Sequence, residues 1–236
     1  MNAPETIEQK MCQAVLSRDV EKVSEILEGN NCINNQDGLG KTPLIYATSR
    51  SYDIAAFLIE KGADVNLQDN SGNTALHIAV SSDDEDMARL LLRKGADLEV
   101  KNRAYKTPVA ISVIEGYESI TKVLIDAGAD VNVRIGPYET SDTLLHKAVL
   151  SISKRNIRIV KLLLDSGADV HARAQFFGYT PLYYAEDYAY YLPSPIPVLE
   201  SRSEFVEVLK YYGASSMMYQ WARPMHIIRD VLRAFP

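Results

Sequence analysis

Cysteine is scarce in this chain, and what little there is stands close together: Cys12 and Cys32 are the only two in 236 residues. A disulfide framework is therefore excluded as the organising device, and reduced, packed thiols in a cytosolic setting are expected. Long apolar runs are also missing. No window approaches the roughly 18 uninterrupted apolar residues that a membrane-spanning helix needs, and MNAPETIEQK lacks a basic stretch followed by an apolar one. No membrane association and no secretion signal are expected. Basic charge comes in no block: the formal net charge is -6 with acids and bases largely interspersed, which leaves no basic footprint for nucleic acid or an anionic bilayer. Histidine is thin and scattered over His77, His146, His171 and His226, so no zinc-ligand spacing arises with the two cysteines. The histidine nearest to Cys32 lies 45 residues on, which also argues against a cysteine–histidine catalytic pair. No metal and no cofactor are expected.

What the chain does have is 47% hydrophobic residues, enough for a continuous core, and a repeat. TPLIYA at Thr42, TALHIA at Thr74, TPVAIS at Thr107, TLLHKA at Thr143 and TPLYYA at Thr180 are variants of one hexapeptide, with threonines 32, 33, 36 and 37 residues apart. A second string keeps step with it: GADVN at Gly62, GADLE at Gly95, GADVN at Gly128, GADVH at Gly167 and GASSM at Gly213. Two motifs locked in phase near a period of 33 define a repeating unit. Threonine can cap a helix, and proline at the first helical position gives up a donor that would be orphaned anyway. A second helix follows with apolar residues at helical spacing, as in Ile54, Phe57 and Leu58 or Ile159, Leu162 and Leu163. Glycine then supplies the left-handed residue that ends it. The next residues lead through a hairpin-like loop to the following threonine. A single unit cannot bury both its faces, so neighbours must stack.

These paired motifs resemble those of the ankyrin-repeat family over roughly residues 8 to 216. The resemblance implies an all-α solenoid of stacked helix-turn-helix units with projecting β-hairpin-like loops. NNCIN at Asn30 takes the place of GADVN, which gives a divergent first repeat with helices near Glu8–Leu16 and Val20–Leu27, and six repeats in all. The expected organisation is an array over 1–216, with a divergent repeat 8–38, core repeats 39–171 and an insertion-bearing last repeat 172–216. Residues 217–236 follow as a capping helix or short adaptor tail, because Ile227, Ile228, Val231, Leu232 and Phe235 share one stripe after Pro224. Departures from the repeat are where function is expected. Gly128 to Thr143 spans 15 residues instead of 12, Gly167 to Thr180 spans 13, and SISKRN lengthens an inter-helix turn by three. The last repeat gains 12 residues in EDYAYYLPSPIPVLE, which cannot be continuous helix through Pro193, Pro195 and Pro197.

The resemblance further implies that a partner protein docks on a concave face formed by loop tips and first helices. The tips carry Leu39, Lys41, Asn70, Asn73, Arg103, Tyr105, Lys106, Tyr138, Phe176, Phe177 and Tyr179. Tyr105, Tyr138, Phe176 and Phe177 are the expected anchors, since large aromatics bury much area at little rotamer cost; the alternative for Phe176 and Phe177 is burial in the array's own core. His77 and His146, in the fourth position of the hexapeptide, have an implied structural role. Asn66 and Asn132 each follow Asp-Val with a leucine eight residues upstream, a pattern resembling the one that an asparaginyl hydroxylase modifies on ankyrin hairpins; a loop asparagine bonding backbone is the alternative. The run Asp83–Asp86 fits a solvated helix start, and GLGKT at Gly38 is a repeat turn, not a phosphate loop. The function expected is a monomeric, non-enzymatic, cytoplasmic protein-interaction scaffold: an adaptor, an inhibitor, or an effector acting in a host cytosol. A ubiquitin-ligase substrate adaptor using the C-terminal helix, and an enzyme with its site in 186–236, are the alternatives.

Overall fold

Threonine begins the first helix of the repeats as its chemistry demands. Thr42 accepts the Ile45 N–H at 3.2 Å, Thr107 that of Ala110 at 3.4 Å, and Thr180 that of Tyr183 at 3.3 Å. Serine or aspartate does the same for three of the second helices, with Asp19 capping Lys22, Ser51 capping Ile54 and Asp84 capping Met87. In the resulting computed structural model, which describes residues 6–137, 141–150, 156–174, 178–186 and 199–215, the helices come in pairs. These are α1 (Ile7–Leu16) and α2 (Val20–Gly29), α3 (Pro43–Thr48) and α4 (Tyr52–Glu60), α5 (Ala75–Ser81) and α6 (Glu85–Arg93), and α7 (Pro108–Glu115) and α8 (Glu118–Asp126). Then come α9 (Leu144–Leu150) and α10 (Asn156–Asp165), and α11 (Pro181–Glu186) and α12 (Leu199–Tyr211). The fold class is all-α; strand is confined, among the described residues, to β1 (Arg134–Ile135) paired antiparallel with β2 (Asp142–Thr143), and to a bridge between Ala174 and Tyr179.

The chain forms two compact units, Met1–Ala129 and Asp130–Pro236. In the first, the first helix of each pair packs on its second, α1, α3, α5 and α7 pack on one another in turn, and Leu44, Ile54, Leu58, Leu76, Met87, Leu91, Ile120 and Leu124 are fully buried between the layers. In the second, Leu144, Leu145 and Ile159 play that part. Phe57 and Leu162 are only half-buried, and Ile59 and Leu164 go inside beside them. Each buried leucine contributes about 2 kcal/mol from leaving water.

The second helices end at Gly62, Gly95, Gly128, Gly167 and Gly213, all with positive φ between 84° and 100°. The first repeat departs from this: α2 runs through Gly29 and its C-cap Asn30 is extended, with φ -152°. NNCIN thus stands in the motif's place without its left-handed turn, because asparagine enters that region at a cost glycine does not bear. The lengthened loop after Gly128 zips into the β1–β2 pair, with Arg134 opposite Thr143 and Ile135 opposite Asp142. The turn around SISKR, the Tyr/Pro insertion over 187–198 and the tail 216–236 lie outside the described residues.

Candidate protein-binding surface

Three hairpins of the first unit are built alike. Asp37 accepts the N–H groups of Leu39 and Lys41, Asp69 those of Ser71 and Asn73, and Asn102 those of Ala104 and Lys106, all at 2.8–3.1 Å. The residue three places on closes each turn in the left-handed region: Gly40 at φ 71°, Gly72 at 77° and Tyr105 at 59°. Glycine is required at the first two, since a Cβ on Gly40 would meet Asn70 at 2.6 Å and one on Gly72 would meet Arg103 N at 2.9 Å. Tyr105 sits on the last hairpin of this unit, and its side chain, 45% exposed, points outward.

Hydrogen bonds between neighbours set the hairpins in a row. Asn70 N–H donates to Leu39 O and Arg103 N–H to Ser71 O, both at 2.9 Å. Gln36 Nε2 reaches Gly40 O at 2.7 Å and Gln68 O at 2.8 Å; Gln68 Nε2 reaches Gly72 O at 2.6 Å and Lys101 O at 3.2 Å. His77 ties the row to α5. Its Nδ1 accepts from Thr74 N–H at 3.2 Å, so its Nε2 carries the proton and donates to Lys106 O at 3.1 Å. Burial holds this imidazole below its ordinary pKa despite the carbonyl's opposing pull. In the second unit His146 repeats the arrangement between Thr143 N–H, 3.3 Å, and Tyr179 O, 3.0 Å, and burial pushes it down to about 4.

With that geometry the loop-tip residues separate into two groups. Leu39 (59% exposed), Arg103 and Tyr105 project into solvent. Lys41 is half-buried with its ammonium over the Tyr46 ring at 5.4 Å, and the Lys106 side chain is half-buried. Asn70 and Asn73 instead hold the row together: Asn70 Nδ2 donates to Gly38 O at 3.0 Å and Asn73 Oδ1 accepts from Asn102 at 2.9 Å. Tyr179, in the second unit, stacks on Tyr183 with centroids 4.1 Å apart. Tyr138, Phe176 and Phe177 lie outside the described residues. Asn66 and Asn132 bridge adjacent repeats, donating to Gly95 O and Gly167 O and accepting from Asp97 N–H and Asp169 N–H.

Two contributors were not singled out from sequence. Tyr46 donates to Asp37 at 2.6 Å; that bond, with burial, pushes its phenol up to about 12. Burial alone would raise the Asp37 carboxyl, but Tyr46 together with the Lys41 and Leu39 N–H groups outweighs it, and the net shift is downward. Arg134 bonds Ser141 O at 2.7 Å and Arg173 O at 2.9 Å, and the signal for it was its place in the period, six residues after the glycine like Gln68. Burial, with the Asp37 and Glu8 carboxylates, pushes the Cys12 thiol up to about 11, far from a reactive thiolate. Asp84 is a helix cap and Glu85 pairs with Arg89 at 2.7 Å. Among the described residues no group of three or more His, Cys, Asp or Glu side chains could hold a metal ion.

Stacked helix pairs whose hairpins are laddered through asparagine, glutamine and histidine define a class of helical repeat protein, and the comparisons with known proteins name it. A family model described as ankyrin repeats in three copies matches residues 11–102, 68–135 and 96–174, more than half of the chain. The chain belongs to the ankyrin-repeat family. The crystal structure of an ankyrin repeat domain from Acinetobacter baumannii superposes with a TM-score of 0.75 at 28% identity, covering 87% of this chain and 98% of that one. An ankyrin repeat protein of Acanthamoeba polyphaga mimivirus is 54% identical over 54 residues, 22% of this chain and 13% of the relative. Human neurogenic locus notch homolog protein 1 is 48% identical over 60 residues, 25% of this chain and 2% of its own length. The matched stretches are thus small parts of these curated relatives. Ankyrin repeats are in general protein–protein interaction modules, in a fold that is typically non-enzymatic.

Proposed function

We propose that this chain is a monomeric adaptor or inhibitor that binds another protein through the hairpin tips and first helices of its first unit, without turnover. The observation that carries this is the division of labour at the tips. The side chains of Asn70, Asn73, Gln36 and Gln68 are engaged in holding the row, whereas those of Leu39, Arg103 and Tyr105 project from it, and Leu39 and Arg103 join the row through backbone alone. Exposed leucine, arginine and tyrosine on a rigid support are well suited to become anchors in a partner's pockets. Quantitative affinity capture from cell lysate tests the proposal, with wild type compared against Leu39→Asp plus Tyr105→Ala after circular dichroism shows equal folding. A protein retained by wild type and lost in the variant is expected. Equal capture by both would move the binding face away from these tips.

A further inference from the structure

Charge is not spread evenly over the first unit, and the linear sequence conceals this. Three of its four second helices are acidic: α2 has Glu21, Glu25 and Glu28 against Lys22, α4 has Asp53 and Glu60 with no base, and α8 has Glu118 and Asp126 against Lys122, while α6 is balanced. The tips are the reverse. GLGKTP from Gly38, NSGNT from Asn70 and RAYKTP from Arg103 contain Lys41, Arg103 and Lys106 and no carboxylate, while α3 and α5 carry no charge at all.

The third hairpin is the most basic, for a specific reason. The turn-forming acceptor is aspartate at 37 and 69 but asparagine at 102, where the amide oxygen makes the same two bonds, at 2.9 and 3.1 Å, and carries no charge. Asp37 offsets Lys41, and Asp69 is buried among N–H donors, so Arg103 and Lys106 stand beside the one turn that lacks a carboxylate. No described carboxylate lies within ion-pair distance of either. Between them Tyr105 holds a left-handed backbone where the two preceding hairpins use glycine. Such strain in a non-glycine residue, together with an exposed ring, marks a side chain kept for contact.

Resting on the interaction function above, we infer that the partner presents an acidic segment, with carboxylates meeting Arg103 and Lys106 and an apolar side chain lying against Tyr105. Arginine favours carboxylates through its planar fork, and charge complementarity of this kind governs which partner is accepted.

The test uses the full chain to select binders from a random linear peptide library. Pools enriched in Asp and Glu next to an apolar residue are expected, with affinity falling at least ~10-fold in Arg103→Glu plus Lys106→Glu and weakening as ionic strength rises. Tyr105→Gly adds a readout that a structural role would not give: it raises the melting temperature by about 2–4 °C while weakening the selected peptide. Pools without acidic excess that are nevertheless lost in Leu39→Asp plus Tyr105→Ala overturn the acidic partner and leave the interaction surface standing. Pools indifferent to all tip substitutions, or no binders at all, overturn both. Tighter binding of a DNA or RNA oligonucleotide than of any selected peptide likewise overturns the inference.

Discussion

The hairpins of the first unit are laddered by glutamine, and the corresponding position in the second unit uses arginine. Gln68 satisfies a carbonyl of its own loop and one of the next repeat with a single amide nitrogen, and Arg134 does both with Nη1. The loop that Arg134 closes is three residues longer than those of the first unit, and a longer side chain with a charged donor spans it. What stays constant across both units is the demand, not the residue: backbone carbonyls brought together by stacking must find donors. Histidine and asparagine meet it identically in both, at His77 and His146 and at Asn66 and Asn132.

Removing histidine should expose that demand most severely. His146→Ala leaves the buried Thr143 N–H without its acceptor, removes the imidazole donor to Tyr179 O and opens a cavity, a loss of about 4 kcal/mol in urea unfolding. His77→Ala should cost a similar amount in the first unit.

Acid should act on the same two residues, slightly less strongly. His146 is held at about 4 against an ordinary 6.5, so the folded chain keeps it neutral while the unfolded chain takes up a proton. Its contribution is complete above pH 6.5 and declines as the pH falls towards 4, by about 3 kcal/mol in all. His77, also lowered, shifts in the same direction. Unfolding midpoints measured through that window should fall, and His146→Gln should flatten the dependence.

The ladder exchange itself is a milder break. Arg134→Ala should cost about 2 kcal/mol and Gln68→Ala about 1 kcal/mol, while Arg134→Gln should restore less than half of the former loss because the amide falls short across the longer loop. Smallest of all, Tyr105→Gly should stabilise by about 1 kcal/mol, since glycine accepts the left-handed backbone without a Cβ clash.

Much of this architecture was legible in sequence because threonine caps and terminal glycines act locally. Thr42 and Gly62 do the same work wherever the chain goes next. The binding surface was legible only as a set of tip positions. Whether a tip side chain is free depends on the neighbouring hairpin some 32 residues away, as Asn70 depends on Gly38, and no local pattern encodes that. The basic character of the third hairpin was hidden for the same reason: tip bases and second-helix acids alternate along the chain, and only the fold separates tips from helices.

The central claim is that side chains bonded along the row hold the scaffold while side chains projecting from it bind. Titrating a peptide selected on the intact chain against single alanine variants tests it most directly. Leu39→Ala, Arg103→Ala and Tyr105→Ala should each weaken binding ~10-fold or more with little change in unfolding midpoint, whereas Asn70→Ala and Asn73→Ala should lower the midpoint and leave affinity within about 3-fold. Affinity lost at Asn70 and Asn73 but kept at Arg103 and Tyr105 would contradict the account.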